Sequence, residues 1–385
     1  MKTKLTILVL SLLLIPALSF GAAPTETYVD PSLDSLSGAG TSGDPYGDLQ
    51  WALDQMTRDS TDGDRVNVKA GTAEVTTGTL TLATYGTPTA TAPLIIQGYT
   101  SAEGDEGVGE IDGNGSFGCF AATEDYVTVA DMHIHNGGSA VLLNFDNFCS
   151  AFRCEINNTS ANGMHFDING EATQCNIHDV GGEGVMGAVR VWFCYFANGT
   201  KDFTFAVRPA DDCSVYGNMI IIDGSSIGIR VGDGRNFGIH HNSILSSSGT
   251  GSGLLITGGH KNGVISNNIV EGFSGVGGDG INFSTHTGNK TIYVNNAFYN
   301  NTANESNKPT GKWLVDSDNE SLGSSPFAKS GSNTFSNRFI YFAPLDVGDV
   351  WAGAYPVGSN RDKGAVQHVD AGGGAVQLIE GGLVK

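Results

Sequence analysis

From about residue 132 onward, apolar residues occupy every second place in short stretches that recur at nearly constant intervals. One set reads MHIHN (132–136), CEINN (154–158), CNIHD (175–179), CYFAN (194–198), NMIII (218–222), NSILS (242–246), NIVEG (268–272) and NAFYN (296–300). Its first positions are separated by 22, 21, 19, 24, 24, 26 and 28 residues, which is one structural repeat with loops of varying length. A second set runs in phase: GMHF (163–166), GVMG (184–187), GIRV (228–231), GLLI (253–256) and GINF (280–283), with AVLL (140–143) and DFTF (202–205) as variants. Alternation over so few residues predicts short strands, two or three per repeat, separated by turns rich in Gly, Asn and Ser.

Nothing of helical length lies between these strands. Parallel strands normally need a long crossover, and a chain without one can still stack them by coiling on itself. The expected fold is therefore all-β: a right-handed, single-stranded parallel β-helix in which neighbouring coils pair ~4.8 Å apart. A β-sandwich or propeller would need two-residue hairpin turns, and these are scarce. One helical stretch, Tyr46 to Arg58, is expected as a short capping helix, with Asp44 and Pro45 as its start.

The first position of the repeat is predicted to form a column of stacked, inward-facing side chains. It holds Asn218, Asn242, Asn268 and Asn296, and earlier Met132, Cys154, Cys175 and Cys194. Stacked amides satisfy one another and tolerate left-handed turn backbone. For the cysteines, in-line stacking favours buried free thiols over a disulfide. Cys149 and Cys213 sit five places before the column, also inward.

Composition agrees with a turn-rich solenoid, with 55 Gly and only 11 Pro. Lys2 and Lys4, the apolar run Leu5 to Phe20, and Gly21, Ala22 and Ala23 predict a secretory signal peptide over residues 1–23. The mature chain is then secreted or periplasmic, with no membrane partner after cleavage. A net charge of −20 argues against nucleic acid as a partner. The expected layout is an N-terminal cap with the first coils over 24–125 and regular coils over 126–301. An irregular cap over 302–368 and a Gly-rich tail over 369–385 follow.

The organisation resembles the pectate-lyase-like superfamily of right-handed parallel β-helices, from about Tyr28 to His368. The resemblance is carried by Tyr28-Val29-Asp30, Gly43-Asp44-Pro45-Tyr46, Gly63 to Thr72, Pro93 to Tyr99, Ile111-Asp112-Gly113, the Asn column, and Asp362-Lys363-Gly364-Ala365-Val366-Gln367. It implies that the Asn column lies in the tight turn between the second and third strands of each coil. It also implies that the Gly-led strands form the first sheet, along which the family's enzymes hold polysaccharide.

The outward positions of that sheet are read as Leu142, Asn144, His165, Asp167, Met186, Ala188, Thr204, Ala206, Arg230, Gly232, Leu255 and Asn282. His165, Asp167, Arg208 and Arg230 are the candidate catalytic residues: arginines to neutralise a uronate carboxylate and His165, oriented by Asp167, to take a proton. Asp179, Glu183, Arg190, Asp233 and Asn282 are candidate substrate contacts. A glycoside hydrolase would instead need two carboxyls ~5 to 9.5 Å apart, which Asp167 with Asp179 or Glu183 offers. The expected function is binding, with lyase-like cleavage, of an acidic extracellular polysaccharide. The alternatives are a non-catalytic glycan-binding surface protein and a trimeric tailspike-like virion component, so monomer and trimer both stay open. The resemblance admits Ca²⁺ as a cofactor, but the metal ligands are unassigned. A further outward group, His133, His135, Glu155, Asn157 and His178, reads first as polar surface and second as a metal site. Asp112-Gly-Asn114-Gly and the run Asp316 to Glu320 read as turns.

Overall fold

The computed structural model describes residues 25–323, except 34–35, 83–86, 102–106, 233–235, 260–261, 288–290, 311–312 and 318. The expected signal peptide, Asp233, the stretch Asp362 to Gln367 and the Gly-rich tail all lie outside the described residues. No helix among the described residues is long and apolar enough to cross a membrane.

The chain is a right-handed parallel β-helix, as its repeat requires. Three stacks of parallel strands run its length. Sheet I holds the Gly-led strands, from Leu80–Thr81 through Leu143–Phe145, Phe205–Arg208, Ile227–Val231 and Ser252–Ile256 to Ala303–Ser306. Sheet II runs from Thr25–Val29 through Cys213–Tyr216 and Asn236–His240 to Trp313–Ser317. Sheet III, of 11 strands, runs from Glu74–Val75 to Glu320–Ser321. Two long strands, Met164–Thr173 and Glu183–Trp192, turn the corner without a break and belong to both sheets I and II.

Alternation sorts each strand into an inward and an outward row. Inward on sheet III, Ile111, Ile134, Ile156, Ile177, Phe196, Ile220, Ile244, Val270 and Phe298 stack in register, all essentially without solvent contact. Sheet I contributes Phe120, Leu143, Met164, Val185, Val207, Ile229, Leu254 and Ile281 to the same core. Each such side chain contributes roughly 1.5–3 kcal/mol by leaving water.

The predicted column exists and continues one coil further. Asn218 Nδ2 donates to Asn242 Oδ1 at 2.9 Å, Asn242 to Asn268 at 3.0 Å, Asn268 to Asn296 at 2.9 Å and Asn296 to Asn319 at 2.8 Å. Each Oδ1 also accepts the backbone N–H of the preceding column member, and Asn218 passes this bond on to Cys194 N. The column lies between sheets II and III, as the resemblance implies. The left-handed residue is not the column member but the one before it: Arg153, Gln174, Phe193, Gly217, His241, Asn267 and Asn295 have φ between 51° and 69°. Column residues face the core, so the strained backbone falls on the corner residue outside them. All six cysteines are buried free thiols.

Three expectations need correction. The helix spans Leu49–Gln55, not Tyr46 to Arg58, and Asp48 rather than Asp44 caps it, its Oδ1 accepting Trp51 N–H at 2.6 Å. Leu49, Ala52 and Leu53 are its buried face. Beyond residue 301 the coils continue, adding Ala303–Ser306, Trp313–Ser317 and Glu320–Ser321 to the three sheets. Leu142, Ala188 and Ala206, read as outward, are fully buried.

Candidate functional site

Register fixes one outward row on sheet I. Asn144, His165, Met186 and Arg208 pair in succession, and Arg230, Leu255, Asn282 and Ser306 continue the row. Arg208 pairs with Met186 inside the strand Phe205–Arg208, so it belongs to the sheet and not to a turn beyond it. Thr204, expected in the row, precedes that strand.

A cleft of about 390 Å³ opens over the centre of the row, lined among others by His165, Asp167, Met186, Arg208, Asp211 and Arg230. One wall comes from a bulge. His165 faces Met186 and Gly170 faces Ala188, so four residues, Phe166 to Asn169, stand opposite Gly187 alone. The bulge carries Asp167 out to the rim, where 58% of its side chain meets solvent. Gly187 sits at φ +80°, and a Cβ there would meet the Phe166 carbonyl oxygen at 1.8 Å, so only glycine fits.

The row's polar groups are positioned by neighbours. His165 Nδ1 lies 3.0 Å from Asn144 Oδ1 and its Nε2 lies 3.6 Å from Asp167 Oδ1. An amide oxygen accepts only, so the ring donates through Nδ1, and Nε2 is the nitrogen turned toward Asp167 at the cleft. Asn144, which was not expected in this role, thus holds one side of the ring, and Asp167 stands on the other. Arg208 Nε lies 3.1 Å from Glu183 Oε2, and its Nη2 lies 3.0 Å from Met186 Sδ. Arg230 stacks its guanidinium over the Phe205 ring, 4.9 Å from the centroid. Burial raises the Glu183 carboxyl above its ordinary range, although Arg208 and Arg230 pull the other way.

The structure thus brings together His165, Asp167, Arg208 and Arg230, with Glu183 behind Arg208. Asn282 shares the row but spends its Nδ2 on Asp279 at 2.8 Å. Arg190 lies on sheet II, paired with Glu171 and stacked on Trp192, away from the cleft. Asp179 ends a strand of sheet III and accepts from Thr200 and His178. Asp211 and Asn236 line the cleft and were not expected there. Asp211 lies in the turn after Arg208 and Asn236 opens the sheet II strand of the following coil, places that no local pattern records. Asp112 ends the strand Gly109–Asp112 and spends an oxygen on Asn114 N–H and Asn136 Nδ2 of the turn, whereas Asp316, read as part of a turn, lies in the strand Trp313–Ser317 and pairs with Lys308.

No protein-family model matches the chain, and no curated protein matches it. Among solved structures it is similar to pectate lyase Pel9A, with a TM-score of 0.54, 12% identity, and coverage of 90% of this chain and 97% of that one. A mannuronic acid specific polysaccharide family 6 lyase from human gut microbiota aligns with a TM-score of 0.44 at 10% identity, over 78% of this chain and 82% of that one. The GH136 lacto-N-biosidase from Eubacterium ramulus aligns with a TM-score of 0.43 at 12% identity, over 77% and 68%. The first of these establishes the fold shared with this chain, a pectate-lyase-like parallel β-helix.

Proposed function

On this pectate-lyase-like β-helix, we propose that the sheet I cleft binds an acidic polysaccharide and cleaves it by β-elimination. The observation that carries the reading is the pair Arg208 and Arg230, on consecutive coils of one outward row, beside a histidine that lines the same cleft. Two guanidiniums one coil apart, ~4.8 Å, match the need to hold the carboxylates of a uronate chain lying along the coils. In a chain of charge −20, a local pair of cations is what lets a polyanion approach.

The chemistry follows from the geometry. A guanidinium on the C6 carboxylate withdraws charge from C5 and makes its hydrogen more acidic. His165 Nε2 takes that proton, the electrons form the C4–C5 double bond, and the glycosidic oxygen leaves C4 with the bonding pair and takes a proton from water to become a hydroxyl. Asp167 Oδ1, 3.6 Å away, stabilises the imidazolium that forms. Export and polysaccharide degradation outside the cell belong to this same reading, supported by the N-terminal apolar run and by the fold.

Isothermal titration with a uronate oligosaccharide and a neutral one of equal length tests the binding half. Binding of the acidic ligand alone, weakened at least tenfold by Arg230→Ala, is the expected result. Equal binding of both ligands, unchanged in the variant, would overturn it.

A further inference from the structure

Sheet III has its own polar field, well separated in chemistry from the arginine cleft. Glu110, His133 and Glu155 stand in register on three consecutive coils, with Asp112, His135, Asn157 and His178 in the next outward row. His133 and His135 are two residues apart on one strand, so both face outward on the same side. Glu110 comes from the coil before and meets them through the parallel register. Only the fold assembles these three, because Glu110 lies 23 positions upstream of His133.

We propose that Glu110, His133 and His135 form a binding site for a borderline divalent cation of the zinc, cobalt or nickel kind. One ligand atom from each residue lies within 4.8 Å of the other two. His135 Nε2 lies 2.8 Å and His133 Nδ1 3.8 Å from Glu110 Oε1. Ligands at ~2.0–2.2 Å around a tetrahedral ion stand roughly 3.3–3.6 Å apart, a distance that lies between these two. Small rotations of three half-buried side chains on a rigid sheet bring all three onto one ion.

Neighbouring side chains of sheet III hold His133 in place. Asn157 Nδ2 donates to His133 Nε2 at 3.0 Å, so the neutral ring carries its proton on Nδ1, the nitrogen turned toward Glu110; an ion bound there requires that proton to move to Nε2 and the Asn157 amide to turn its Oδ1 to accept it. Such a partner on the remote nitrogen fixes the ring orientation. Asn157 is itself held by Glu155, whose Oε1 lies 3.3 Å away and also takes His178 Nε2 at 2.9 Å. Two nitrogens and one carboxylate suit zinc-type ions and leave a fourth position to water. A harder cation such as Ca²⁺ prefers six or more oxygens, which the two histidines do not supply.

The site is tested on the full-length chain after chelator treatment, by titrating Co²⁺ and following its visible absorption, with Zn²⁺ as competitor. One cobalt per chain with the intense bands of a four-coordinate ion is expected, displaced by zinc. His133→Ala/His135→Ala should weaken binding at least 100-fold and Glu110→Gln about tenfold, while His240→Ala, on a different sheet, leaves it intact. Metal-induced protection against heat, present in the parent and lost in the double variant, distinguishes a missing site from a misfolded one. Absence of a cobalt spectrum at millimolar metal, or a spectrum unchanged in the folded double variant, overturns the proposal.

Discussion

Arg208 Nε lies 3.1 Å from Glu183 Oε2, and that carboxyl is only 10% exposed. A substrate carboxylate must compete with Glu183 for this guanidinium. Burial raises the Glu183 carboxyl toward its neutral form despite the two arginines. Protonation of Glu183 frees Arg208, so uronate affinity should rise as pH falls from 8 to about 5, by roughly three- to tenfold. In Glu183→Gln the affinity should already be high at pH 8 and nearly independent of pH. Titration of an oligouronate at both pH values checks this, and a pH profile unchanged in the variant would contradict it.

Arg230 lies over the Phe205 ring and faces the cleft without a carboxylate in contact among the described residues. Charge-assisted hydrogen bonds contribute about 1.5–3 kcal/mol, so Arg230→Ala should weaken oligouronate binding roughly 10- to 100-fold. Arg230→Lys should restore only part, because an ammonium lacks the planar fork and the ring stacking. The comparison of the three dissociation constants is the check.

Asn242 illustrates how the solenoid is held. Its Nδ2 donates to Val215 O at 2.9 Å and to Asn268 Oδ1 at 3.0 Å, while its Oδ1 accepts from Asn218 N and Nδ2. Asn242→Ala strands those partners in the core and should cost about 3–5 kcal/mol, read by denaturant unfolding. Asn262→Ala, whose amide bonds an exposed neighbour at 2.8 Å, should cost under about 1 kcal/mol.

Glu74 sits against the N-terminus of the capping helix, its Oε2 accepting Leu49 N–H at 3.1 Å. Burial and the neighbouring Asp48 push its carboxyl up to about 7 from an ordinary 4.5. A raised acid favours the folded state in its protonated form. Its contribution is therefore complete below pH 4.5 and is lost as pH rises through about 7, by up to about 3 kcal/mol. Glu74→Gln should flatten this decline, as seen in melting temperatures between pH 4.5 and 8.

Much of the fold was legible because the coil imposes the same demand at each turn. The inward row of sheet III must be apolar and its first position must satisfy buried backbone, and both show as a repeat. The left-handed corner was misplaced by one residue because Asn267-Asn268 and Asn295-Asn296 are both amides, so composition does not say which bends. The site was less legible. The row containing His165 and Arg208 depends on register between strands of unequal loops, and DFTF (202–205) imitates a strand start that belongs at Phe205. The bulge that lifts Asp167 exists only against Gly187, a contact between coils. Glu110 belongs to the coil before the repeat becomes regular, which hid its place beside His133 and His135.

The most direct test of the account is ultraviolet absorbance of the purified chain incubated with a panel of polyuronates, which reports the C4–C5 double bond left by elimination. The account predicts absorbance growing with at least one polyuronate, abolished by His165→Ala and reduced at least tenfold by Arg208→Ala. New reducing ends without that absorbance, or no cleavage of any polyuronate by a folded chain, would contradict it.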